Sequence, residues 1–154
     1  MSKELLTILV AASPFLELRG AIPLAIGLFH FSVGKAFFLS YLGNIIPVIP
    51  LLWFWERISL FLMKKYVFWR RLLSWIFERT RKKTEKKFEK YAAGALVLLV
   101  AIPLPLTGAW TGSIAAFLFH LNWKQSFILI SLGVLIAGII VTILTILGVN
   151  LIQV

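Results

Sequence analysis

The chain has 154 residues, is 60% hydrophobic, carries a formal net charge of +10 and has a mean hydropathy of +0.96. Soluble domains of this size are rarely so apolar, so the composition points to an integral membrane protein. The absence of cysteine excludes disulfides, thiolate metal ligands and cysteine nucleophiles, and two well-separated histidines speak against a zinc site.

The first stretch, MSKELLTILVAASPF, has only a short apolar run before Glu17, so no cleavable signal peptide is expected. Residues 5–34 are then too many for one crossing and too few for two, because a spanning helix takes about 20 apolar residues. Pro14, Gly20 and Pro23 in SPFLELRGAIP break any helix near the middle. The expectation is a re-entrant helical hairpin that leaves on the face it entered.

Glu17 and Arg19 sit at the tip of that hairpin. A guanidinium at membrane depth costs about 2.5 to 17 kcal/mol on a contested scale, and persists in a wet cavity, beside a partner or with an anionic ligand. Its planar fork suits phosphate or carboxylate. The alternative is that Arg19 merely neutralises Glu17 and pins the hairpin. Glu17 is either its counter-ion or a proton carrier: burial raises a carboxyl pKa and a neighbouring Arg lowers it, and the sequence does not rank the two.

Ala36 to Trp55 is free of charge, and a transmembrane helix is expected over 36–60. Asn44, Pro47 and Pro50 form an irregular patch in it, where the Asn44 amide is expected to bond carbonyls freed by the prolines. His30 and His120, beside Lys35 and Lys124, read as interfacial anchors before proton shuttles.

Between Lys64 and Lys90 lie eleven Lys/Arg against three Glu. Phosphate neutralisation of a nucleic acid is one reading. Apolar segments on both sides favour the other, a cytoplasmic basic amphipathic segment (63–90) resting on anionic headgroups, with Trp53, Trp55, Trp69 and Trp75 as an aromatic belt.

The run 91–123 poses the length problem again: as one helix it would be about 50 Å long against a hydrocarbon core of about 30 Å. IPLPLTGAWTG breaks it with Pro103, Pro105, Gly108 and Gly112, giving a second expected re-entrant hairpin; the alternative is one long kinked helix. Thr107, Trp110, Thr111 and Ser113 offer hydroxyls and an indole N–H to a substrate, to the freed backbone, or to both. Gly108 and Gly112 form a GxxxG that reads as a close contact between tips. A second transmembrane helix is expected over 125–150.

Shifted by 90 residues, LFHFSVGKAFFLSYLG (28–43) lies on LFHLNWKQSFILISLG (118–133) with seven identities, including His30 on His120 and Gly43 on Gly133. The chain thus reads as an internal repeat, residues 1–62 and 91–154, each half a hairpin followed by a spanning helix. Each half crosses once, so the halves are inverted, and their tips meet near the midplane, as in transporters built from broken helices. Helix N-termini at the tips would favour an anion.

SPFLELRGAIPLAIG together with AIPLPLTGAWTG resembles the small bacterial and archaeal membrane proteins known as small multidrug export proteins, over nearly the whole chain. That group looks like a branch of the DedA/VTT-domain superfamily. The family pattern reads PLPGTGAWTG, and Leu106 replaces its first glycine here. The resemblance implies paired re-entrant hairpins and, in some superfamily members, translocation of polyprenyl-phosphate carrier lipids. The second tip has no arginine, so a two-arginine phosphate clamp within one subunit is not expected.

The resulting expectation is an all-α, inverted-repeat transporter of the plasma (inner) membrane, a homodimer with its basic loop cytoplasmic, moving an amphiphilic anion such as a polyprenyl phosphate. Arg19, Gly20, Thr107, Gly108, Trp110, Thr111 and Ser113 would bind substrate, Glu17 would couple protons, and Pro14, Pro23, Pro103, Pro105 and Gly112 would shape the breaks. No enzyme, metal, cofactor or nucleic-acid partner is expected, since no nucleophile–base pair or metal cluster is apparent. The alternatives are an exporter of small cationic drugs using Glu17, for which no intramembrane acidic cluster speaks, and a non-transporting scaffold held by the basic segment.

Overall fold

A computed structural model describes residues 2–81, 86–104, 107–119 and 121–152. Pro105, Leu106, His120 and positions 82–85 of the basic segment lie outside the described residues. The described residues form helices and no strands: α1 (Lys3–Ala12), α2 (Glu17–Pro23) continuing as a π-helical turn (Leu24–Leu28), α3 (Val33–Ile45), α4 (Val48–Lys65), α5 (Val67–Arg81), α6 (Lys86–Ala101), α7 (Ala109–Leu118) and α8 (Trp123–Ile152). The all-helical expectation holds.

The prolines act where the sequence placed them. α1 ends before Pro14, and the Ser13 hydroxyl accepts from the Leu16 amide in the turn that follows. Pro23 closes α2 and has no N–H, so the hydrogen bonding slips to the longer π spacing, with the Phe29 amide bonded to the Leu24 carbonyl at 3.1 Å. Pro47 separates α3 from α4, and Pro103 follows the end of α6.

Two stretches, Val33–Ser59 and Trp123–Gly148, are long and apolar enough to cross a membrane. Their outer faces are greasy. Phe38 and Leu42 on α3, Ile46 at its C-cap, and Ile128, Leu132, Leu135, Ile139, Ile143 and Leu147 on α8 are exposed at helical spacing. A continuous outward apolar stripe suits lipid better than water.

α1 and α3 start side by side. Lys35 Nζ donates to Glu4 Oε1 at 2.7 Å, and Lys3 stands 5.8 Å from the Phe29 ring. At their other ends a Cβ on Gly43 would fall 2.5 Å from the Ile8 carbonyl oxygen and 2.8 Å from the Ala11 methyl. The two helices therefore run parallel, and the chain between them goes out along α1 and returns along α2.

The later helices repeat these neighbours. α6 packs on α8 as α1 does on α3, and a Cβ on Gly133 would meet Val100 at 2.6 Å and the Val97 carbonyl at 3.0 Å. At the 90-residue offset Ala36, Ser40, Gly43 and Asn44 of α3 match Ser126, Ile130, Gly133 and Val134 of α8, and all eight are buried. The core joins the two sets: Leu18 and Ile22 of α2 lie with Leu96, Val100, Ala109, Ile130 and Val134. α5 packs on α4, apart from this core.

One expectation fails. Asn44 does not bond the carbonyls around Pro47: both its side-chain atoms are buried and have no partner among the described residues. It lies on the α3 face that also carries buried Ala36, Ser40 and Gly43.

Candidate functional site

The two breaks meet. Leu16 leads into α2, and Glu17 takes a left-handed backbone conformation (φ 49°), which turns its side chain inward until it is 3% exposed. Opposite it Gly108 has φ 136° and ψ −160°, a conformation that excludes L side chains in practice. A Cβ on Gly108 would fall inside the space held by the Glu17 carboxylate. The glycine is required on two counts, by its dihedral and by the carboxylate pressed against it.

That carboxylate caps α7. Glu17 Oε1 accepts from the Trp110 amide at 3.4 Å, at the positive end of the helix. Its Oε2 accepts from Arg19 Nη2 at 3.3 Å, and the same Nη2 donates to the Thr107 carbonyl. The helix N-terminus expected to face a substrate anion thus holds a carboxyl group of the chain itself.

Further bonds tie the breaks together. Trp110 Nε1 donates to the Ala12 carbonyl at 3.2 Å, linking α7 to the end of α1. Ser113 is fully buried; its hydroxyl donates to the Trp110 carbonyl at 2.6 Å and accepts from Trp55 Nε1 of α4 at 3.1 Å. The Thr107 hydroxyl lies 2.7 Å from the carbonyls of both Ile102 and Leu104 and 3.2 Å from the Leu104 amide. The Thr111 hydroxyl donates to the Gly108 carbonyl at 3.3 Å. These hydroxyls and the indole therefore serve the broken backbone. Gly112 packs against Val100 and Ile130 of its own half, so of the GxxxG pair only Gly108 lies at the contact between the breaks. Gly20 packs against Leu16 across the start of α2.

Arg19 is different. Its side chain is 21% exposed, and among the described residues neither Nε nor Nη1 has a hydrogen-bond partner. It lines an open groove of 440 Å³ with Pro23, Pro103, Val141, Leu144, Thr145 and Gly148. Val141, Leu144, Thr145 and Gly148 escaped the sequence reading because the α8 run has neither charge nor break. The available signal was faint, two small or hydroxyl-bearing positions at helical spacing on one face. A larger hollow of 530 Å³ borders Asn122 to Leu129 at the start of α8. It contains no residue of either break, and the groove with the unsaturated guanidinium has the stronger chemistry.

The arrangement can therefore present guanidinium N–H groups to an anion at the end of an apolar trough, while a carboxylate competes for the same guanidinium. Among the described residues no group of three or more His, Asp or Glu side chains could hold a metal ion.

A family model described as "Putative small multi-drug export protein" matches residues 17–140. No curated protein and no solved structure matches the chain.

Proposed function

The chain belongs to the small multi-drug export protein family, and on that premise we propose that it is an inner-membrane transporter which moves an amphiphilic anion, most concretely a lipid-linked phosphate. The observation that carries this reading is Arg19, held at the crossing of the two breaks with N–H groups turned to a groove whose other walls are mostly apolar. A phosphate would take the guanidinium fork, and its hydrocarbon would lie along Val141, Leu144 and Gly148.

In this reading α1 with α2, and α6 with α7, are re-entrant hairpins of inverted halves. Their support is geometric. α1 is about 15 Å long and residues 17–28 about 18 Å, each near half of a hydrocarbon core of about 30 Å, and the Glu4–Lys35 pair brings both ends of the first hairpin to one level. The basic segment lies on the cytoplasmic side, against anionic headgroups, and a second copy of the chain closes the open groove.

Glu17 couples protons by exchange. Ionised, it occupies Arg19 and the start of α7; protonated, it releases the guanidinium to the substrate anion. Proton and anion then travel together. Arg19 is the charged group facing Glu17, while Lys3, Glu4 and Lys35 stand at the mouth of the first hairpin and Lys124 at the start of α8.

Reconstituted protein tests this in a polyprenyl-phosphate flip assay. Arg19→Gln abolishes movement and Glu17→Gln removes its dependence on a proton gradient. Equal rates for wild type and both variants would refute the reading. The family's name, which speaks of drug export, leaves room for a second one, export of small cations with Glu17 as the binding carboxylate. It predicts that Arg19→Gln spares or improves cation transport.

A further inference from the structure

Ser40 and Asn44 are adjacent on one face of α3, with relative exposures of 0% and 1%. Ser40 Oγ, Asn44 Oδ1 and Asn44 Nδ2 have no hydrogen-bond partner among the described residues. An unmet buried polar group is destabilising because it has lost its water partners, so three on one face call for an occupant.

Packing does not require them. The matching positions of α8 are Ile130 and Val134, both fully buried and satisfied by apolar neighbours. On the facing helices the same contrast holds. Thr7 of α1 is fully buried beside α3, whereas α6 presents Leu96 one turn from the Val100 that meets Gly133. Ser131 Oγ, the one such unpartnered atom among the described residues of the second half, belongs to the position matching Tyr41 and lies off this face.

The parallel run of α1 and α3 orders these groups by height. The Glu4–Lys35 pair stands at the mouth, Thr7 and Ser40 follow, and Asn44 comes next to Gly43, which touches Ile8 and Ala11. One residue beyond Ala11, the Ala12 carbonyl already takes the bond from Trp110, and Glu17 caps α7 there. Buried polar side chains therefore lie at successive heights between an exposed ion pair and the buried Glu17 carboxyl: Thr7, whose hydroxyl donates to the Lys3 carbonyl at 2.8 Å, then Ser40 and Asn44.

The occupant follows from donor type. A metal ion would satisfy Oδ1 and Oγ and leave the Asn44 N–H bonds bare. Water donates to the oxygens and accepts from the nitrogen, and a buried water makes about three such bonds. We propose that Ser40 and Asn44 hold one or two water molecules inside the first three-helix unit, and that these pass protons between Glu17 and the face where α1 and α3 begin. The relay conserves matter: a water takes a proton on one lone pair and gives up another from a second O–H bond. The relay rests on the coupling role of Glu17; the water site does not.

Water-edited solid-state NMR on the full chain in bilayers reads the site directly. The Asn44 side-chain amide gains magnetisation from water as early as surface groups do, while the methyls of Ile130 and Val134 stay dark. An Asn44 amide as dark as those methyls would overturn the proposal. In a gradient-driven flip assay Asn44→Leu slows transport by about a hundredfold, the low end for a lost proton-transfer group, with phosphate-lipid binding retained. A hydrated Asn44 with an undiminished Asn44→Leu rate would refute the relay alone. An Arg19→Gln variant as active as wild type would instead refute the anion reading and leave the hydration result standing.

Discussion

The two three-helix units, α1–α2–α3 and α6–α7–α8, share a packing plan and differ in polarity. Both bring a glycine, Gly43 or Gly133, onto the first helix of the unit, and both bury the same positions of the long helix. The second unit fills them with Ile130 and Val134; the first holds Ser40, Asn44 and Thr7, and adds Glu17 and Arg19 at its break. Shape is common to the halves and chemistry belongs to the first. The second contributes what a charge needs in order to be held, a helix end and a glycine with room for a carboxylate.

If that division is right, the largest effect comes where the halves touch. Gly108→Ala forces a strained backbone costing about 1–3 kcal/mol and also evicts the Glu17 carboxylate, so thermal unfolding in detergent shifts sharply down and transport is lost. A Gly108→Ala protein with wild-type stability would break the comparison at its centre.

The next effect separates the units. Ile130→Ala opens a cavity in the apolar one and costs about 2–5 kcal/mol. Asn44→Leu in the polar one exchanges an amide that no protein group bonds, together with its water, for an apolar side chain of similar volume, so its melting temperature stays level or rises. Equal destabilisation would mean that both columns serve packing alone. Trp110→Phe removes the indole bond to Ala12 across the breaks and lowers stability by about 1 kcal/mol.

The smallest effect lies where α1 and α3 begin. The hydrogen bond from Lys35 holds the Glu4 carboxyl below its ordinary range. A depressed folded pKa gives a contribution present above the ordinary carboxylate pKa and lost as pH falls through the depressed one. Glu4→Gln therefore changes stability slightly at neutral pH and not at strongly acid pH, and high salt shrinks the difference. Titrating the melting temperatures of both proteins checks it.

Much of this was legible in the chain. The prolines and glycines marked both breaks because missing donors and free dihedrals act locally, and the paired Gly43 and Gly133 both lie buried against an earlier helix. Arg19 was conspicuous because a charge in an apolar run has no local excuse. The roles inside the site were harder to read. That the Glu17 carboxylate, not a substrate, caps α7 depends on a contact between residues more than ninety positions apart. Asn44 was assigned to the nearest freed carbonyls, yet its helix face turns it into the interior. The groove wall on α8 is apolar, and apolar residues in a membrane sequence carry little that distinguishes one face from another.

The claim on which the rest depends is that Glu17 and the substrate anion contend for the same guanidinium. Equilibrium binding of a short-chain polyprenyl phosphate to protein in nanodiscs, followed across pH for wild type and Glu17→Gln, tests it most directly. Wild-type affinity should rise as the pH falls and Glu17 takes up its proton, and Glu17→Gln should bind tightly throughout. A Glu17→Gln protein that binds more weakly than wild type, or follows the same pH curve, would contradict the account.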